Sequence, residues 1–206
     1  MANQSRRLPR MSLYATISHM RVLGIDCGTQ CTGYGLVEQS ADGDLHSITA
    51  GAIRLSPREP LSRRLQRVFS ELSQVITKWQ PELVAIEDVF YAVNVKSAFK
   101  LGQVRGVAML TAATFGLQVY EYAPLAIKSA VVGYGRAEKS QVQQMVASLL
   151  CLPEVPEPAD VADALAIAIC HLHTASTLAR QQAASLGDSP AKGVGLQAKT
   201  ARTKRD

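Results

Sequence analysis

The spacing of apolar residues predicts three consecutive strands at the start of the chain. Residues 21–27 (RVLGIDC) form a mostly apolar run, a glycine-punctuated turn leads into residues 33–39, and residues 45–55 follow the turn at Gly43. Short apolar runs between glycine-rich turns are typical of buried strands. Because the connections are so short, these strands are predicted to form an antiparallel meander.

The next segment has helical spacing. Apolar residues recur every three or four positions over 60–79, which predicts an amphipathic helix, and Arg63, Arg64 and Arg67 fall largely off its apolar face. The short run 83–86 (LVAI) after Pro81 then predicts a buried parallel strand.

The same alternation continues along the chain and indicates the fold class. The remaining predicted elements are a helix over 95–115, a strand over 118–122, and helices over 124–132, 137–150 and 159–173. Three strands followed by a helix–strand–helix–strand alternation predict an α/β fold, with a mixed sheet flanked by helices.

Charge divides the chain into three parts. Residues 1–20 carry three arginines and no acid, and residues 174–206 carry a net charge of +4, so the total of +5 leaves −2 for residues 21–173. The basic leader and the basic, low-complexity tail are predicted to be disordered, and they could add non-specific attraction for phosphate. Residues 21–173 are long enough to form one domain. No apolar run approaches the roughly 20 residues of a membrane helix, so no membrane partner is expected.

The four cysteines do not form a zinc motif. Cys27 and Cys31 have a C-x-x-x-C spacing without a second such pair, and Cys170 and His171 are neighbours on a predicted helix, where they point in different directions. Nothing in the sequence suggests secretion, so reduced thiols in a cytoplasm are expected.

Four carboxylates are candidates for a divalent-metal site. Asp26 and Glu87 end two predicted strands, where a charged residue needs solvent, a partner or a metal. Asp160 and Asp163 are three residues apart and share one face of the last predicted helix. Taken singly, the aspartate pair can serve as a helix cap and Glu87 can mark an ordinary strand exit. Together the four supply the oxygen ligands that hard cations prefer, and paired cations of this kind support phosphodiester cleavage.

Five segments, in order, resemble one family of enzymes. They are GIDCGTQCTGYG (24–35), AIEDVF (85–90), KLGQVRG (100–106), VVGYGRAEKSQV (131–142) and ADVADALAIAI (159–169). Together they resemble the bacterial RuvC family of Holliday-junction resolvases, over roughly residues 20–173. The resemblance implies a ribonuclease-H-like sheet and a crossover junction endodeoxyribonuclease that cuts symmetrically. The chain departs from the family at Cys27, where proline is usual, which should alter the turn and leave the chemistry unchanged.

The resemblance also implies a metal site. It makes Asp26, Glu87, Asp160 and Asp163 the catalytic tetrad and the metal ligands. The cofactor expected from it is Mg²⁺, with two ions per active site, and Mn²⁺ can substitute.

Six residues are candidates for DNA contacts. By the resemblance, Phe90 matches an aromatic residue that stacks on a base near the crossover, and Lys128 and Lys139 match positions that contact DNA. Lys100, Arg105 and Arg136 lie in or beside the same segments and are further candidates for phosphate neutralisation. The alternative for each basic residue is a solvated surface charge. Phe90 and Tyr91 are predicted to face opposite ways, with Phe90 projecting.

The expected partners follow from the substrate and from the family. A four-way junction presents two equivalent strands, so a two-fold homodimer is expected. The helix over 95–115 is a candidate for its interface because Gly102 and Gly106 would allow close approach, although the glycines could instead let this helix lie close on its own sheet. The resemblance adds the RuvA–RuvB branch-migration machinery as a partner and a bacterial cytoplasm as the location.

Three other functions compete with junction cleavage. The turn after Asp26 resembles the first phosphate loop of actin-like and sugar-kinase ATPases, but the duplicated domain and second phosphate loop of those proteins are not found. A non-catalytic junction-binding module would lose its carboxylates, whereas all four are present. A nuclease of the same fold acting on RNA ends is the third possibility, against which the segments at 85–90 and 100–106 favour junctions.

Overall fold

The fold is a single five-stranded sheet with helices on both faces. The computed structural model describes residues 19–88 and 95–187. The elements are β1 (His19–Asp26), β2 (Cys31–Ser40), β3 (Leu45–Arg54), α1 (Leu61–Trp79), β4 (Leu83–Glu87), α2 (Val95–Thr114), β5 (Gln118–Tyr122), α3 (Pro124–Val132), α4 (Lys139–Leu149) and α5 (Ala159–Gly187). The predictions of five strands and five helices are confirmed for the described residues.

The strand order is β3-β2-β1-β4-β5. β1 pairs antiparallel with β2, and β2 with β3, which confirms the predicted meander. β4 pairs parallel with β1 and with β5, because the chain returns through a helix before each of these pairings. The sheet is therefore of mixed direction, as predicted.

Alternation along the strands separates two cores. Leu23, Ile25, Val84 and Ile86 pack with α1 and α2 on one face of the sheet. Val22 and Ala85 point the other way and pack with α3, α4 and α5. Because successive side chains of a strand point to opposite faces, the next residues on the α5 side are Gly24, Asp26 and Glu87.

Helix α5 is longer than the sequence predicted. It continues past His173, the expected end, to Gly187. The segment after Thr174 has no apolar periodicity, but it is rich in alanine, which extends an existing helix at little cost. Periodicity reports burial on one face, so its loss was wrongly interpreted as the end of the helix. The chain divides into one compact unit up to Thr174 and a second from Ala175.

One stretch of α5 is also long and apolar enough to cross a membrane. By length and composition the 23 residues of Ala159–Gln181 meet that criterion, so the expectation that no such run exists was wrong. Alanine, leucine and isoleucine supply most of this apolar character. The central helix of a folded domain meets the same criterion, and most side chains between Val161 and Leu172 are buried in the core of the α5 face.

Arg64 on α1 does not lie on the solvent side of its helix, contrary to the sequence interpretation. Arg64 is only 8% exposed, and it is buried on the same helix as Val68 and Leu72. Its Nη1 donates a hydrogen bond of 3.1 Å to the carbonyl oxygen of Thr29, in the loop that follows β1. The aliphatic stem of an arginine can pack like an apolar side chain while its head reaches a polar group, which periodicity alone does not predict.

Candidate active site

Two carboxylates lie side by side at the ends of neighbouring parallel strands. Asp26 is the last residue of β1 and Glu87 the last residue of β4. Ile25 is paired with Ile86 in the parallel register, so the residues that follow them are also neighbours. Both point to the α5 face of the sheet, since Ile25 and Ile86 point to the opposite face.

Helix α5 brings two more carboxylates to this place. Asp160 lies in its first turn, and Asp163 follows one turn later. The helix lies very close to the sheet here. Gly33 pairs with Asp26, and a Cβ added at Gly33 would be only 1.9 Å from the carbonyl oxygen of Asp160. The four residues predicted from sequence therefore converge from β1, β4 and α5. Their catalytic and metal-binding roles remain predictions.

The electrostatics of the site confirm that the four carboxylates share one neighbourhood. Burial, as the largest cause, and the charges of Asp163, Glu87 and Asp160 together raise the pKa of Asp26 from 3.8 to about 7. Burial and the charge of Asp163 also raise the pKa of Glu87. The cluster therefore carries more negative charge than its own surroundings neutralise.

Two lysines reach the cluster from α3 and α4. Lys139, the first residue of α4, places its Nζ 2.5 Å from Oδ2 of Asp163. Burial lowers the pKa of Lys139, but its hydrogen bond to Asp163 and the nearby acids outweigh this and raise it overall. Lys128 of α3 donates to the carbonyl oxygen of Ala137 at 2.9 Å. Both lysines line a pocket of about 240 Å³ together with Glu87 and Asp163, above an apolar floor.

The donor set fits a divalent cation, although the side chains are not gathered around one point. Within residues 19–88 and 95–187, no three His, Cys, Asp or Glu side chains are close enough together to hold an ion as they stand. The ammonium of Lys139 is the counter-ion of Asp163. Four carboxylates with unneutralised charge are oxygen donors of the kind that Mg²⁺ and Mn²⁺ prefer.

A thiol is a member of the site that the sequence argument missed. Cys31, the first residue of β2, lies near the carboxylate of Asp160, and burial together with Asp160 raises the pKa of this thiol to about 11. Burial and the charge of Asp26 raise the pKa of Cys27 to about 12. Both thiols are therefore protonated at neutral pH. The C-x-x-x-C spacing raised the question of zinc ligands, whereas Cys31 is a protonated neighbour of Asp160.

The other predicted DNA-contact residues lie in different surroundings. Lys100 on α2 and Arg136 in the turn before α4 are exposed or partly exposed. Arg105 faces inward and pairs with Glu121 and Asp88. Phe90 and Tyr91 lie outside the described residues, so the prediction about their orientation stays open. The roles of all these residues in DNA binding remain predictions.

The raised pKa of Asp26 predicts a pH-dependent stability for the metal-free protein. A carboxyl that titrates near 3.8 when unfolded and near 7 when folded binds more protons in the folded state between these values. The free energy of unfolding should therefore fall as pH rises from about 4 to about 7 and level off above that. Asp26→Asn should remove this loss and make the protein about 2–4 kcal/mol more stable than wild type at pH 8.

Urea denaturation in the presence of a chelator measures this difference. Asp42→Asn, at an exposed turn between β2 and β3, is the matched control and should leave the pH profile unchanged. An Asp26→Asn protein that is no more stable than wild type at pH 8 would contradict the electrostatic argument.

Comparison with known proteins gives a consistent result. The model of a family described as crossover junction endodeoxyribonuclease RuvC matches residues 22–171. A crossover junction endodeoxyribonuclease RuvC from Koribacter versatilis is 67% identical over 164 residues, which cover 80% of this chain and 99% of that protein. The structure of Thermus thermophilus RuvC in complex with a Holliday junction substrate matches with a TM-score of 0.71 and 32% identity, over 77% of this chain and 96% of that one.

A more distant structure supports the fold alone. The yeast mitochondrial Holliday junction resolvase Ydc2 matches with a TM-score of 0.60 at 13% identity, over 82% of this chain and 86% of that one. At this level of identity, the likeness extends to the arrangement of the sheet and helices and carries no residue roles.

Proposed function

Because this chain belongs to the RuvC family of crossover junction endodeoxyribonucleases, we propose that it resolves four-way Holliday junctions, in DNA recombination and repair, by hydrolysing phosphodiester bonds. The observation that carries this proposal is the convergence of Asp26, Glu87, Asp160 and Asp163 at one edge of the sheet. The Thermus thermophilus relative, solved in complex with a Holliday junction substrate, has the same fold over 96% of its length.

The four carboxylates would hold Mg²⁺, most simply as two ions, with Mn²⁺ as a substitute. Such ions activate water and stabilise the leaving oxygen of the cleaved phosphodiester. The protein fixes the positions of the ligands, because they lie at two strand ends in one sheet and in the first turns of a buried helix. Burial raises the pKa of Asp26 and of Glu87, so a cation would bind in competition with protons and would release them on binding.

Lys139 would exchange one partner for another when the cation binds. In the structure its ammonium neutralises Asp163 at 2.5 Å. A cation held by Asp163 removes the need for that pairing, and 59% of the Lys139 side chain is exposed, so its ammonium can turn to a DNA phosphate. Lys128 lies in the same pocket and would add a second positive charge beside the cut strand.

A homodimer would place two such sites on the two equivalent strands of a junction. Helix α2 offers a suitable surface, its outer stripe, formed by Val95, Phe99, Gly102, Gly106 and Leu110. Phe99 is 72% exposed and Leu110 61% exposed. Among the described residues, nothing lies within 4 Å of a Cβ added at either glycine, so the glycines do not serve to pack α2 on its own sheet. The outer stripe is therefore available to a second copy.

Cutting would take place in a bacterial cytoplasm, downstream of branch migration by RuvA–RuvB. This part of the proposal rests on family membership. It predicts that adding RuvA–RuvB to the reaction changes the rate or position of cutting, which the same gel assay measures.

A synthetic junction tests the proposed function directly. The protein is incubated with a four-way junction and Mg²⁺, and the labelled strands are resolved on a denaturing gel while light scattering gives the mass in solution. We expect paired nicks at symmetric positions from a species of twice the monomer mass, with none in the presence of a chelator. Equal cutting of a linear duplex of the same sequence, or full activity from a monomer, would contradict the assignment as a junction-resolving dimer.

The basic residues predicted to contact DNA can be tested by their salt dependence. Replacing Lys100, Lys128, Arg136 or Lys139 by glutamine should each reduce the slope of log affinity against log salt by about one unit if the side chain neutralises a phosphate. Binding is measured without divalent metal, so that cleavage does not interfere. Lys78→Gln on α1, whose ammonium lies over the Trp79 ring, is the control. An unchanged slope in all four variants would remove these residues from the DNA interface.

A further inference from the structure

Arg105 connects helix α2 to the strand end that carries Glu87. Its Nε donates a hydrogen bond of 3.3 Å to the backbone carbonyl oxygen of Glu87. Its Nη2 pairs with the carboxylate of Glu121 on β5 and lies 3.6 Å from Oδ1 of Asp88. One guanidinium therefore contacts both strands: β4 at the backbone of Glu87, whose side chain belongs to the acidic cluster, and β5 at the side chain of Glu121.

The strand end needs such support because the pairing of β4 stops there. β4 ends at Glu87, and among the described residues the last backbone contact at this end is the hydrogen bond of 2.8 Å from the Asp88 amide to the carbonyl oxygen of Tyr122. The charge of the nearby Asp163 carboxylate repels the Glu87 carboxylate. A contact on the main chain of Glu87 fixes the point from which its side chain extends, without occupying either of its carboxylate oxygens.

The geometry requires an arginine. Its planar fork can direct Nε to a carbonyl oxygen and Nη2 to carboxylates at the same time, whereas a lysine ammonium is a single point of charge on a flexible stem. With 16% of its side chain exposed and two carboxylates beside it, Arg105 is poorly placed to neutralise a phosphate. Lys100, five residues earlier on the same helix, is exposed.

We propose that Arg105 is a positioning residue for Glu87, which fixes the end of β4 against β5 so that the Glu87 carboxylate is held in place for the divalent cation. The proposal rests on the proposed function in one respect, namely that Glu87 is a metal ligand. It assigns to Arg105 a role on the protein side of the site, in place of the DNA contact expected from sequence.

The test compares three variants of the full chain. Arg105→Lys keeps the charge and removes the fork, Arg105→Met keeps the stem and removes the charge, and Glu121→Gln leaves the arginine but weakens its anchor. Lys78→Gln on α1, which removes one positive charge outside the proposed site and DNA interface, is the control. Three quantities are measured for each: Mn²⁺ affinity by electron paramagnetic resonance, junction affinity against salt without metal, and the single-turnover cleavage rate at saturating protein.

Both arginine variants should bind Mn²⁺ about 10–100-fold more weakly and cut more slowly by a similar factor, as expected when a supporting contact of a metal ligand is lost. Their junction affinity and salt slope should match wild type, and Glu121→Gln should shift Mn²⁺ affinity in the same direction by a smaller factor. If Arg105→Met does not fold, Arg105→Lys and Glu121→Gln decide the question.

Two results would overturn the proposal, and each is distinct from failure of the proposed function. A salt slope reduced by about one unit with unchanged Mn²⁺ affinity would make Arg105 a phosphate contact. Mn²⁺ affinity unchanged in Arg105→Lys and Glu121→Gln would remove it from the support of Glu87. A wild-type protein that binds Mn²⁺ but cuts no junction would instead contradict the proposed function, while the Mn²⁺ comparison would still decide the role of Arg105.

Discussion

Single replacement of Asp26, Asp160 or Asp163 by asparagine, or of Glu87 by glutamine, is expected to lower junction cleavage at least about 1000-fold. Each change removes one charged oxygen donor from a cluster of four carboxylates that interact with one another. A loss of this size corresponds to about 4 kcal/mol of transition-state stabilisation. Junction affinity should be equal to wild type or higher, because one negative charge near the DNA is lost while the basic residues stay.

Cleavage is measured in single turnover, and binding by a gel-shift assay without divalent metal. Asp42→Asn, at the exposed turn between β2 and β3, controls for the loss of one negative charge elsewhere and should cut as wild type does. Any of the four variants that cuts at close to the wild-type rate would show that its residue is not a ligand. A variant that loses junction affinity as well as cleavage would indicate that the residue acts through folding or DNA binding.

The sheet and the position of the carboxylates were predictable from the sequence for a physical reason. A strand that is buried on both faces tolerates a charged residue only where it leaves the sheet, so Asp26 and Glu87 mark two strand ends in the sequence itself. Ligand sites in open α/β sheets lie beyond the carboxyl ends of the strands, which places both residues at one edge. The register of β1 against β4, by contrast, depends on tertiary packing and is visible only in the folded chain.

The close approach of α5 to the sheet was not predictable in the same way. Gly33 and Gly35 fall in the strand predicted over 33–39 and lie inside β2, and Gly24 lies inside β1 directly opposite Gly35, but nothing in the sequence showed that a helix backbone approaches them. Glycine in a strand can mark a turn, a bulge or a site where another backbone approaches, and one sequence does not distinguish them. The partners of Arg105 were hidden for a similar reason, since Glu121 is sixteen residues away along the chain.

The glycines explain how Asp160 and Asp163 reach the strand ends at all. Helices on a sheet are usually separated from it by a layer of side chains, which would leave two short aspartates too far from Asp26 and Glu87. A surface of glycines at positions 24, 33 and 35 removes that layer locally, so the backbone of α5 lies against the backbone of β1 and β2. The acidic cluster is thus a consequence of this backbone contact as much as of the acids themselves.

Gly24→Ala should therefore destabilise the fold severely, although it adds a single methyl group. A Cβ at this position would lie 2.0 Å from the carbonyl oxygen of Ala164 and 2.8 Å from the amide nitrogen of Ala168, both main-chain atoms of α5. Neither can move without shifting the helix. Overpacking of a core typically costs about 1–3 kcal/mol, and we expect about 3 kcal/mol or more here because the added methyl group meets backbone atoms that cannot rotate away. That corresponds to a fall in Tm of roughly 6–12 °C for a domain of this size.

The same substitution at Gly102, measured at a protein concentration low enough for the chain to be monomeric, is the control and should act in the opposite direction. Gly102 lies in α2, where an added Cβ meets nothing within 4 Å among the described residues, so alanine should stabilise the helix by about 0.5–1 kcal/mol. Thermal and urea unfolding of both variants, with chelator present, measure the two effects. If Gly24→Ala unfolds at the wild-type temperature, α5 does not lie on the sheet at backbone distance, and the placement of Asp160 and Asp163 beside Asp26 would need another explanation.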